Sequence, residues 1–445
     1  MTASPVRPAL PERPPFALRA RVLTPLAAGG SAFHADGLVV VDERGRIASV
    51  GPFDASTASP AVIDIRPWLL LPGLVDLHAH LPQIPNAGLG AGLDLMTWLQ
   101  RYIFPLERDF DVATAERLAP AAFRAFARAG TTTALVYGAV YADSLDATFR
   151  AAEAHGIRAI IGKVMMDRIT YDDTIAQPTI LERSLRESAD LATRWHGADN
   201  GRLGYAFTPR FAVSCSPEML RESASLARAM GAYWQTHVSE DRGEIAEVAK
   251  LFPNAPDYVG VYDEAGGLGE RTVLAHAIHL SDRELARLVE TGTRVAHCPA
   301  SNLFLASGVM PLARYLEAGL IVGLGSDVAA GPELGIFYAM RVGAYTQNAL
   351  RVVAGDPHPV LGPLDWLRVG SFEGARALGL EDSIGSIEAG KEADLIVVDP
   401  SLTDPVPGAE LEDPADLISR LIYRAHPDMV RGTWVRGRAL RGPGG

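Results

Sequence analysis

The stretch Leu74-Val75-Asp76-Leu77-His78-Ala79-His80 ends a run of apolar residues with two histidines placed two positions apart. Residues i and i+2 of a β-strand project from the same face, so both imidazoles point the same way. Such a pair is half of a metal site, although it is equally compatible with two half-buried surface histidines. The choice depends on what the rest of the chain supplies.

Seven more apolar runs follow this one and alternate with stretches of helical periodicity. Repeated β and α units of this kind predict an α/β fold, the closed (β/α)8 or TIM barrel, whose active site lies at the carboxyl ends of the strands. The eight predicted strands are Leu74 to His80, Thr131 to Gly138, Arg158 to Asp167, Arg202 to Phe211, Ala232 to Glu240, Thr272 to Leu280, Arg294 to Ala300 and Leu320 to Val328. The predicted helices include Val112 to Ala129, Ser184 to His196, Pro217 to Ala229, Asp282 to Thr291 and Pro311 to Ala318.

Short alternating strands with glycine turns flank the barrel and predict a small β-sandwich formed from the N- and C-terminal segments. These strands fall in Phe16 to Val50, in Val62 to Leu71, in Leu395 to Val398, and in a hairpin over Met429 to Leu440 around Gly432 and Gly437. The predicted organisation is a flexible tail at 1–15, sandwich segments at 16–72 and 385–445, and the barrel at 73–384. The acidic, proline-rich stretch 399–416 is predicted to be a surface loop.

Composition narrows the classes of partner. The 445 residues include 41 Lys and Arg against 53 Asp and Glu, a formal charge of -12 that repels phosphate backbones and anionic membrane surfaces. Neither nucleic acid nor a membrane is therefore an expected partner. The two cysteines, Cys215 and Cys298, are too few for a disulfide framework, and the apolar runs are too short to span a bilayer. A cytoplasmic protein is expected.

Polar residues collect at or near the predicted carboxyl ends of the strands. They are His78, His80, His237, Glu240, His276, His279 and Asp327. Three imidazoles and one carboxylate from such a set form a nitrogen-rich site that suits Zn²⁺, with Fe²⁺ as the alternative, and leave one position for water. An ion of this kind lowers the pKa of water from about 15.7 to about 7. Glu240 is then a candidate general acid and base, and Asp327 is a candidate acceptor of the water proton.

Each candidate is also compatible with a purely structural role. Asp327 suits a turn or the N-cap of a helix, and Glu240 suits the first turn of a helix. His279 and His297 are compatible with simple packing. Lys163 raises the possibility of a binuclear site with a carboxylated lysine, but in that design the lysine belongs on the fourth strand rather than the third. Phosphate-binding loops, nucleophile elbows, His-Glu-x-x-His and Pro-Cys-x-x-Cys motifs are absent from the sequence.

Four motifs carry a resemblance to a known family. They are Leu71 to His80, Thr236 to Glu240, Leu274 to Ser281, and Gly323 to Val328. Together they resemble the amidohydrolase superfamily, and over nearly its whole length the chain resembles the guanine deaminase branch of it. The stretches that carry this narrower resemblance are His80 to Gln83, Trp98 to Glu107, Gly130 to Thr133, Gly162 to Arg168, Thr208 to Phe211, His297 to Leu303, and Gly323 to Val328.

The resemblance implies one Zn²⁺ per subunit, a homodimer, and hydrolytic deamination of guanine to xanthine and ammonia. It implies metal ligation by His78, His80, His237 and Asp327, proton transfer and stabilisation of the tetrahedral centre by Glu240 and His276, and purine binding by Gln83, Arg210 and Phe211, with His80 and His237 also facing the substrate. One departure is Ala330, where many relatives have glycine, and it puts the shape of that loop in question. Sister activities on 8-oxoguanine, a pterin or a triazine remain possible, as does a scaffold without catalysis.

Residue chemistry supports a purine with a ring carbonyl. Arg210 has N–H donors and no acceptor, so it can satisfy the O6 atom of guanine but not an exocyclic amine at that position. Gln83 offers both an acceptor and donors for the neighbouring edge, and Phe211 or Trp98 could stack on the ring. Arg210 is equally compatible with an ordinary strand-end salt bridge.

Overall fold

The computed structural model describes residues 9–56, 61–169, 174–406, 408 and 411–440. Its strands are β1 Phe16–Pro25, β2 Ser31–Val41, β3 Ile47–Pro52, β4 Val62–Pro72, β5 Leu74–His80, β6 Thr131–Tyr137, β7 Arg158–Gly162, β8 Val164–Met165, β9 Leu203–Pro209, β10 Tyr233–Val238, β11 Thr272–His276, β12 Arg294–His297, β13 Val322–Leu324, β14 Leu395–Val398, β15 Val430–Val435 and β16 Arg438–Ala439.

The α-helices of the same residues are α1 Leu95–Trp98, α2 Phe104–Arg108, α3 Val112–Arg128, α4 Ala142–His155, α5 Gln177–Trp195, α6 Ala198–Gly201, α7 Pro217–Ala229, α8 Arg242–Leu251, α9 Tyr258–Glu264, α10 Asp282–Thr291, α11 Pro299–Phe304, α12 Leu312–Glu317, α13 Ile336–Ala349, α14 Pro363–Arg368, α15 Gly374–Ala377 and α16 Pro414–Tyr423. Turns of 3₁₀-helix lie at Leu81–Asn86, Ala212–Ser214 and Pro400–Thr403, and π-helical turns lie at Leu99–Ile103, Leu350–Ala354 and Val369–Glu373. No helix in these described ranges is long and apolar enough to cross a membrane.

The central sheet is the predicted (β/α)8 barrel. Its strands pair in the order β5-β6-β7-β9-β10-β11-β12-β13, and each pair is parallel. Between β5 and β13 the circle is closed by two backbone hydrogen bonds, from Asp327 N to His78 O at 2.7 Å and from His80 N to Val328 O at 3.0 Å. The first strand and the last therefore meet at the residues that carry the candidate ligands.

Several predicted strands extend too far at their carboxyl ends. β11 stops at His276 rather than Leu280, because His276 and Ala277 take positive φ angles of 71° and 50°. The third predicted strand is interrupted at Lys163, so β7 and the short β8 replace the continuous run Arg158 to Asp167. The apolar side chains that misled the prediction are buried in the loops of the active-site face instead.

The terminal segments form one seven-stranded sheet in the order β16-β15-β14-β4-β1-β2-β3. The sheet folds back on itself, because the rings of Phe16 in β1 and Trp434 in β15 lie 6.3 Å apart although they are three strands apart in pairing order. In a flat sheet that separation is about 14 Å. The two ends of this curled sheet enclose a core of their own, which includes Leu18, Val39 and Leu395.

Two local predictions are wrong, and a third, the tail, lies partly outside the described ranges. Of the predicted tail, residues 1–8 lie outside the described ranges, but Pro11 O accepts a hydrogen bond from Trp434 Nε1 at 2.8 Å and Glu12 O accepts one from Ala439 N at 3.0 Å, so this part is held against the terminal sheet. The hairpin turns at Gly437, whereas Gly432 lies inside β15. The predicted loop 399–416 contains a 3₁₀ turn and the first residues of α16.

A buried ion cluster joins the barrel to the terminal sheet. Arg158 in β7 is 3% exposed, and its Nη2 lies 2.5 Å from a Glu392 oxygen and 3.1 Å from an Asp394 oxygen. Arg436 Nε also contacts Glu392, at 2.8 Å. Burial of charges costs free energy unless they are paired, so each member of this cluster depends on the others.

Candidate metal centre and active site

Four candidate ligands converge at the top of the barrel. His78 and His80 end β5, His237 lies in β10, and Asp327 follows β13. His80 Nε2 lies 3.2 Å from His78 Nε2 and 3.2 Å from His237 Nε2. Asp327 Oδ1 lies 3.2 Å from His78 Nε2 and 3.5 Å from His80 Nε2. The barrel thus brings together residues that are up to 249 positions apart in the chain (327 minus 78).

The donor set fits a metal ion such as zinc, with four protein donors near tetrahedral spacing and a fifth position left for water. One ring nitrogen carries either a proton or a lone pair, so His80 Nε2 cannot satisfy both of its imidazole contacts by hydrogen bonding. Zinc–ligand bonds of about 2.0–2.1 Å in a tetrahedron hold donor atoms about 3.3 Å apart, which agrees with the four distances above. Burial lowers the pKa of His80 and of His237 well below the ordinary value, so both stay neutral and able to ligate.

Neighbouring groups orient the site. His237 Nδ1 donates to Arg210 O at 2.6 Å, which directs Nε2 of this ring towards the other ligands. His276 Nδ1 donates to Asn302 Oδ1 at 2.9 Å, which leaves its Nε2 facing Glu240 Oε2 at 3.4 Å. His276 and Asp327 both have positive φ angles, of 71° and 48°. Backbone strain of this kind in residues other than glycine is typical of functional sites.

The two carboxyl groups of the site differ in electrostatics. Burial raises the pKa of Glu240 well above its usual value, and the nearby Asp327 carboxylate adds to the rise. Burial also acts to raise the pKa of Asp327, but the adjacent His78 outweighs it and brings that pKa down to about 2. Glu240 can therefore carry a proton at neutral pH while Asp327 remains an anion, and these are the states that an acid and a ligand require.

A cavity opens beside these groups. It is lined by His80, Gln83, Leu95, Trp98, Leu99, Arg210, Phe211, His237, Glu240, His276, Leu305, Asp327 and Ala330. Every residue of the predicted site lines this cavity except His78, whose ring contacts those of His80 and His237. Trp98 and Phe211 are both present, so either ring is available for stacking, and Ala330 is part of the same wall.

Glu107 is a site residue that sequence reasoning missed. It is 2% exposed; one of its carboxylate oxygens accepts a hydrogen bond from Gln83 Nε2 at 2.6 Å, and the other accepts one from Arg210 Nη1. Arg210 therefore does form a salt bridge, but the pair is buried and Arg210 also lines the cavity. The only sequence signal was an acidic residue at the end of the Trp98 to Glu107 stretch.

Contacts distinguish functional from structural roles for the remaining polar residues. Asp241, not Glu240, is the N-cap of α8, and Asp327 caps no helix because its carboxylate faces His78. His279 packs, with Nε2 donating to Ser307 O at 2.8 Å. His297 is 1% exposed and does not line the cavity.

Lys163 also lies outside the candidate site. Its amine contacts Ser184 Oγ at 3.2 Å and Glu187 Oε2 at 3.4 Å in a different cavity. It is therefore not placed to bridge two metal ions among the histidines described above, as a binuclear site would require.

The fold and this site define a class of protein, the metal-dependent hydrolases built on a (β/α)8 barrel. The sequence profile of the Amidohydrolase family matches residues 69–440, and the chain belongs to that family. Within it, the chain is 36% identical over 415 residues to a protein of Deinococcus radiodurans named probable guanine deaminase, covering 90% of this chain and 92% of the relative.

Solved structures agree with this placement. The E. coli guanine deaminase superposes with a TM-score of 0.88 at 32% identity, covering 96% of this chain and 100% of that one. A Xanthomonas campestris adenosine deaminase with bound zinc superposes with a TM-score of 0.81 at 28% identity, covering 97% of this chain and 93% of that one.

Proposed function

We propose that this protein is a zinc-dependent guanine deaminase, which converts guanine and water into xanthine and ammonia. The observation that carries the proposal is the composition of one cavity. Arg210, a side chain with only donors, and Gln83 lie there with a metal-ligand set and a buried, protonatable glutamate. The names of the relatives in Deinococcus and E. coli support the same substrate.

His78, His80, His237 and Asp327 would hold the ion. Three nitrogens and one carboxylate oxygen suit Zn²⁺, and the zinc in the Xanthomonas structure supports that choice over Fe²⁺. When bound, the ion supplies Lewis-acid activation of the attacking water.

The chain's own residues then bind the purine and move protons. Arg210 donates to O6, Gln83 serves the adjacent N1 position, and Phe211 or Trp98 covers the ring face. Asp327 accepts one proton of the attacking water, and Glu240 gives its own proton to N3. As the C2–N bond breaks, the proton held by Asp327 passes by way of Glu240 to the departing amine, and the hydroxyl proton of the tetrahedral centre restores Glu240 to its protonated form. His276, whose Nδ1 donates to Asn302 and whose Nε2 lies 3.4 Å from Glu240, uses Nε2 to accept a hydrogen bond from the hydroxyl of the tetrahedral centre.

The proposed oligomeric state and cellular location rest on the family resemblance and on two surface and composition features. We propose a cytoplasmic homodimer, as in the family resemblance. Two buried cysteines that form no disulfide agree with a reducing compartment, and the exposed Val352 and Val353, at 83% and 85% exposure, offer an apolar surface to a second copy. Light scattering of the purified protein measures the oligomeric state directly.

The competing functions are sister deaminases acting on 8-oxoguanine, a pterin, a triazine or adenosine, and a scaffold without activity. The complete donor set and the raised pKa of Glu240 weigh against the scaffold, since a protein without catalysis needs neither. The carbonyl next to N1 discriminates guanine from adenosine, because Arg210 cannot accept a hydrogen bond from an amine. An 8-oxoguanine or a pterin carries the same carbonyl, so substrate profiling must separate these rings from guanine.

Ammonia release from purified, zinc-loaded protein tests the proposal. Guanine is the substrate, and 8-oxoguanine, adenine, adenosine and cytosine are the controls. We expect turnover of guanine and none of adenine or adenosine. Turnover of another ring, with none of guanine, would reject guanine as the substrate. Bound zinc without turnover of any of these rings would favour the scaffold function.

A further inference from the structure

We propose that Glu107 is a positioning residue that decides which atoms of Gln83 and Arg210 face the purine. The site then accepts a ring with N1–H next to a C6 carbonyl and rejects a ring with an unprotonated N1 next to a C6 amine. This proposal rests on the proposed function for the identity of the ligand, but its geometry is independent of catalysis. Glu107 is not among the residues that line the cavity, and it acts through the side chains of Gln83 and Arg210.

The contacts of Glu107 leave Gln83 one orientation. A carboxylate paired with a guanidinium only accepts hydrogen bonds, so the Gln83 atom that lies 2.6 Å from it must be the amide nitrogen. The amide oxygen of Gln83 is then the atom left for the cavity. The orientation of this amide, which electron density alone rarely distinguishes, is here fixed by its partner.

The same carboxyl group fixes Arg210. Its second oxygen accepts from Arg210 Nη1, and the guanidinium is packed against the ring of Phe104 at 5.4 Å from the ring centroid. Gln83 and Arg210 are thus held side by side by the two oxygens of one group. They present an acceptor next to a donor, which is the complement of N1–H next to C6=O.

Burial makes this arrangement selective. Glu107, Gln83 and Arg210 are each 3% exposed or less, so water cannot compensate for a mismatched ligand edge. An adenine-type edge would set an acceptor against Gln83 Oε1 and a donor against Arg210. Buried polar groups left unpaired in this way are the source of large discrimination between similar ligands.

Glu107→Gln changes the Gln83 group that faces the ligand from an acceptor to a donor. Arg210 still needs an acceptor, so the new amide at position 107 turns its oxygen to Arg210 and its NH₂ to Gln83. Gln83 must then flip, and its own NH₂ faces the ligand. The double exchange Gln83→Glu with Glu107→Gln restores an acceptor at position 83, keeps the total charge and keeps every pairing complementary.

The test is equilibrium binding of hypoxanthine and adenine to zinc-loaded protein, since these purines lack a 2-amino group and differ only at N1 and C6. We expect the wild type to prefer hypoxanthine, E107Q to lower that preference by at least about 10-fold, and the double exchange to restore it. Glu107→Asp is the matched control: it shortens the reach but stays an acceptor, so affinity for both ligands falls and the preference remains.

An equal loss for both ligands in E107Q, or a double exchange that fails to restore the preference, would reject the role of Glu107. If E107Q does not fold, the double exchange alone decides, because it must retain the preference for hypoxanthine. Failure of the proposed function has a different signature, namely a wild type that releases no ammonia from guanine while the binding preference still follows position 107.

Discussion

Glu240 and Asp327 are two carboxyl groups of one buried site whose pKa values move in opposite directions. Burial without a full ionic partner is the largest effect on the pKa of Glu240. Asp327 instead has His78 at 3.2 Å, which lowers the pKa of its carboxyl group. Opposite pKa shifts of two neighbouring carboxyl groups support the proposed roles of Glu240 as the acid and Asp327 as the base. Ser307 Oγ, which donates to Glu240 Oε1 at 3.3 Å, holds the acid in place.

Glu240→Gln is expected to remove most turnover and leave the metal in place. An amide cannot shuttle a proton, and a positioned acid and base contributes about 10² to 10⁴ in rate. Ammonia release gives the rate, and elemental analysis gives the zinc content. Asp241→Asn, which affects the neighbouring helix cap rather than the cavity, is the control and should keep most of the activity. An active E240Q enzyme would exclude the assigned role.

At the scale of elements, the segment from Leu95 to Arg108 shapes one wall of the site. A π-helical turn at Leu99–Ile103 separates α1 from α2. Two turns of an α-helix contain about 7.2 residues, and the extra residue of a π-helical turn raises the two-turn spacing to about 8 residues. Leu99 in the cavity wall and Glu107 behind it are eight positions apart, so the wide turn brings both to the same side of the helix.

The strand end at Gly325 has no room for a side chain. A Cβ atom there would lie 2.7 Å from His78 Cβ and 2.8 Å from Cys298 Sγ. Gly325→Ala should therefore push Asp327 and His78 apart and weaken zinc affinity by about 10- to 100-fold. Competition with a chelating dye measures this affinity. Gly51→Ala is the matched control, since nothing lies within 4 Å of its Cβ, and equal affinities in the two variants would contradict the prediction.

Elements with clear end signals were predicted to the residue. Ser216 caps α7, and Ser281 with Glu284 forms a capping box on α10, so both helices have their predicted bounds. α16 was missed because its start signals, Asp413 as N-cap and Pro414 in the first turn, were interpreted as loop residues.

The site was predictable only in part. The histidines and acids stand at strand ends, where the barrel topology implies that they meet, whereas the partners of Glu107 are 24 and 103 residues away. Local periodicity carries no information about such pairs, so only the folded chain reveals them.

At the scale of the whole molecule, the two sheets are held together by buried charges around Arg158. Arg158→Met should lower the free energy of unfolding by about 3–5 kcal/mol, because Asp394, which is 3% exposed, loses its ionic partner. Urea denaturation followed by fluorescence measures the loss. Lys250→Met removes an exposed pair with Glu247 and should cost about 0–1 kcal/mol, and a similar cost for both variants would refute the structural role of Arg158.

Removal of the metal should destabilise the barrel as a whole. The proposed ligands belong to β5, β10 and the segment after β13, so a bound ion would link strands that two backbone hydrogen bonds join at the seam within the described residues. A ligand at about 1,000 times its Kd stabilises the folded state by about 4.1 kcal/mol. Calorimetry with and without a chelator, followed by zinc addition, measures the effect. His78→Asn should abolish the response to chelator, and an unchanged unfolding temperature in the wild type would contradict the linkage.

The contact between β5 and β13 also determines when, during synthesis, the proposed ligand set becomes complete. His78 and His80 leave the ribosome early, but the ligand set is incomplete until Asp327 has emerged, about three quarters of the way along the chain (327 of 445). Until then the first strand lacks its neighbour on one side, and its two histidines can be occupied by any competing ion. With the proposed ligand set, we expect metal acquisition late in synthesis, and a chain truncated before β13 should be unable to retain zinc.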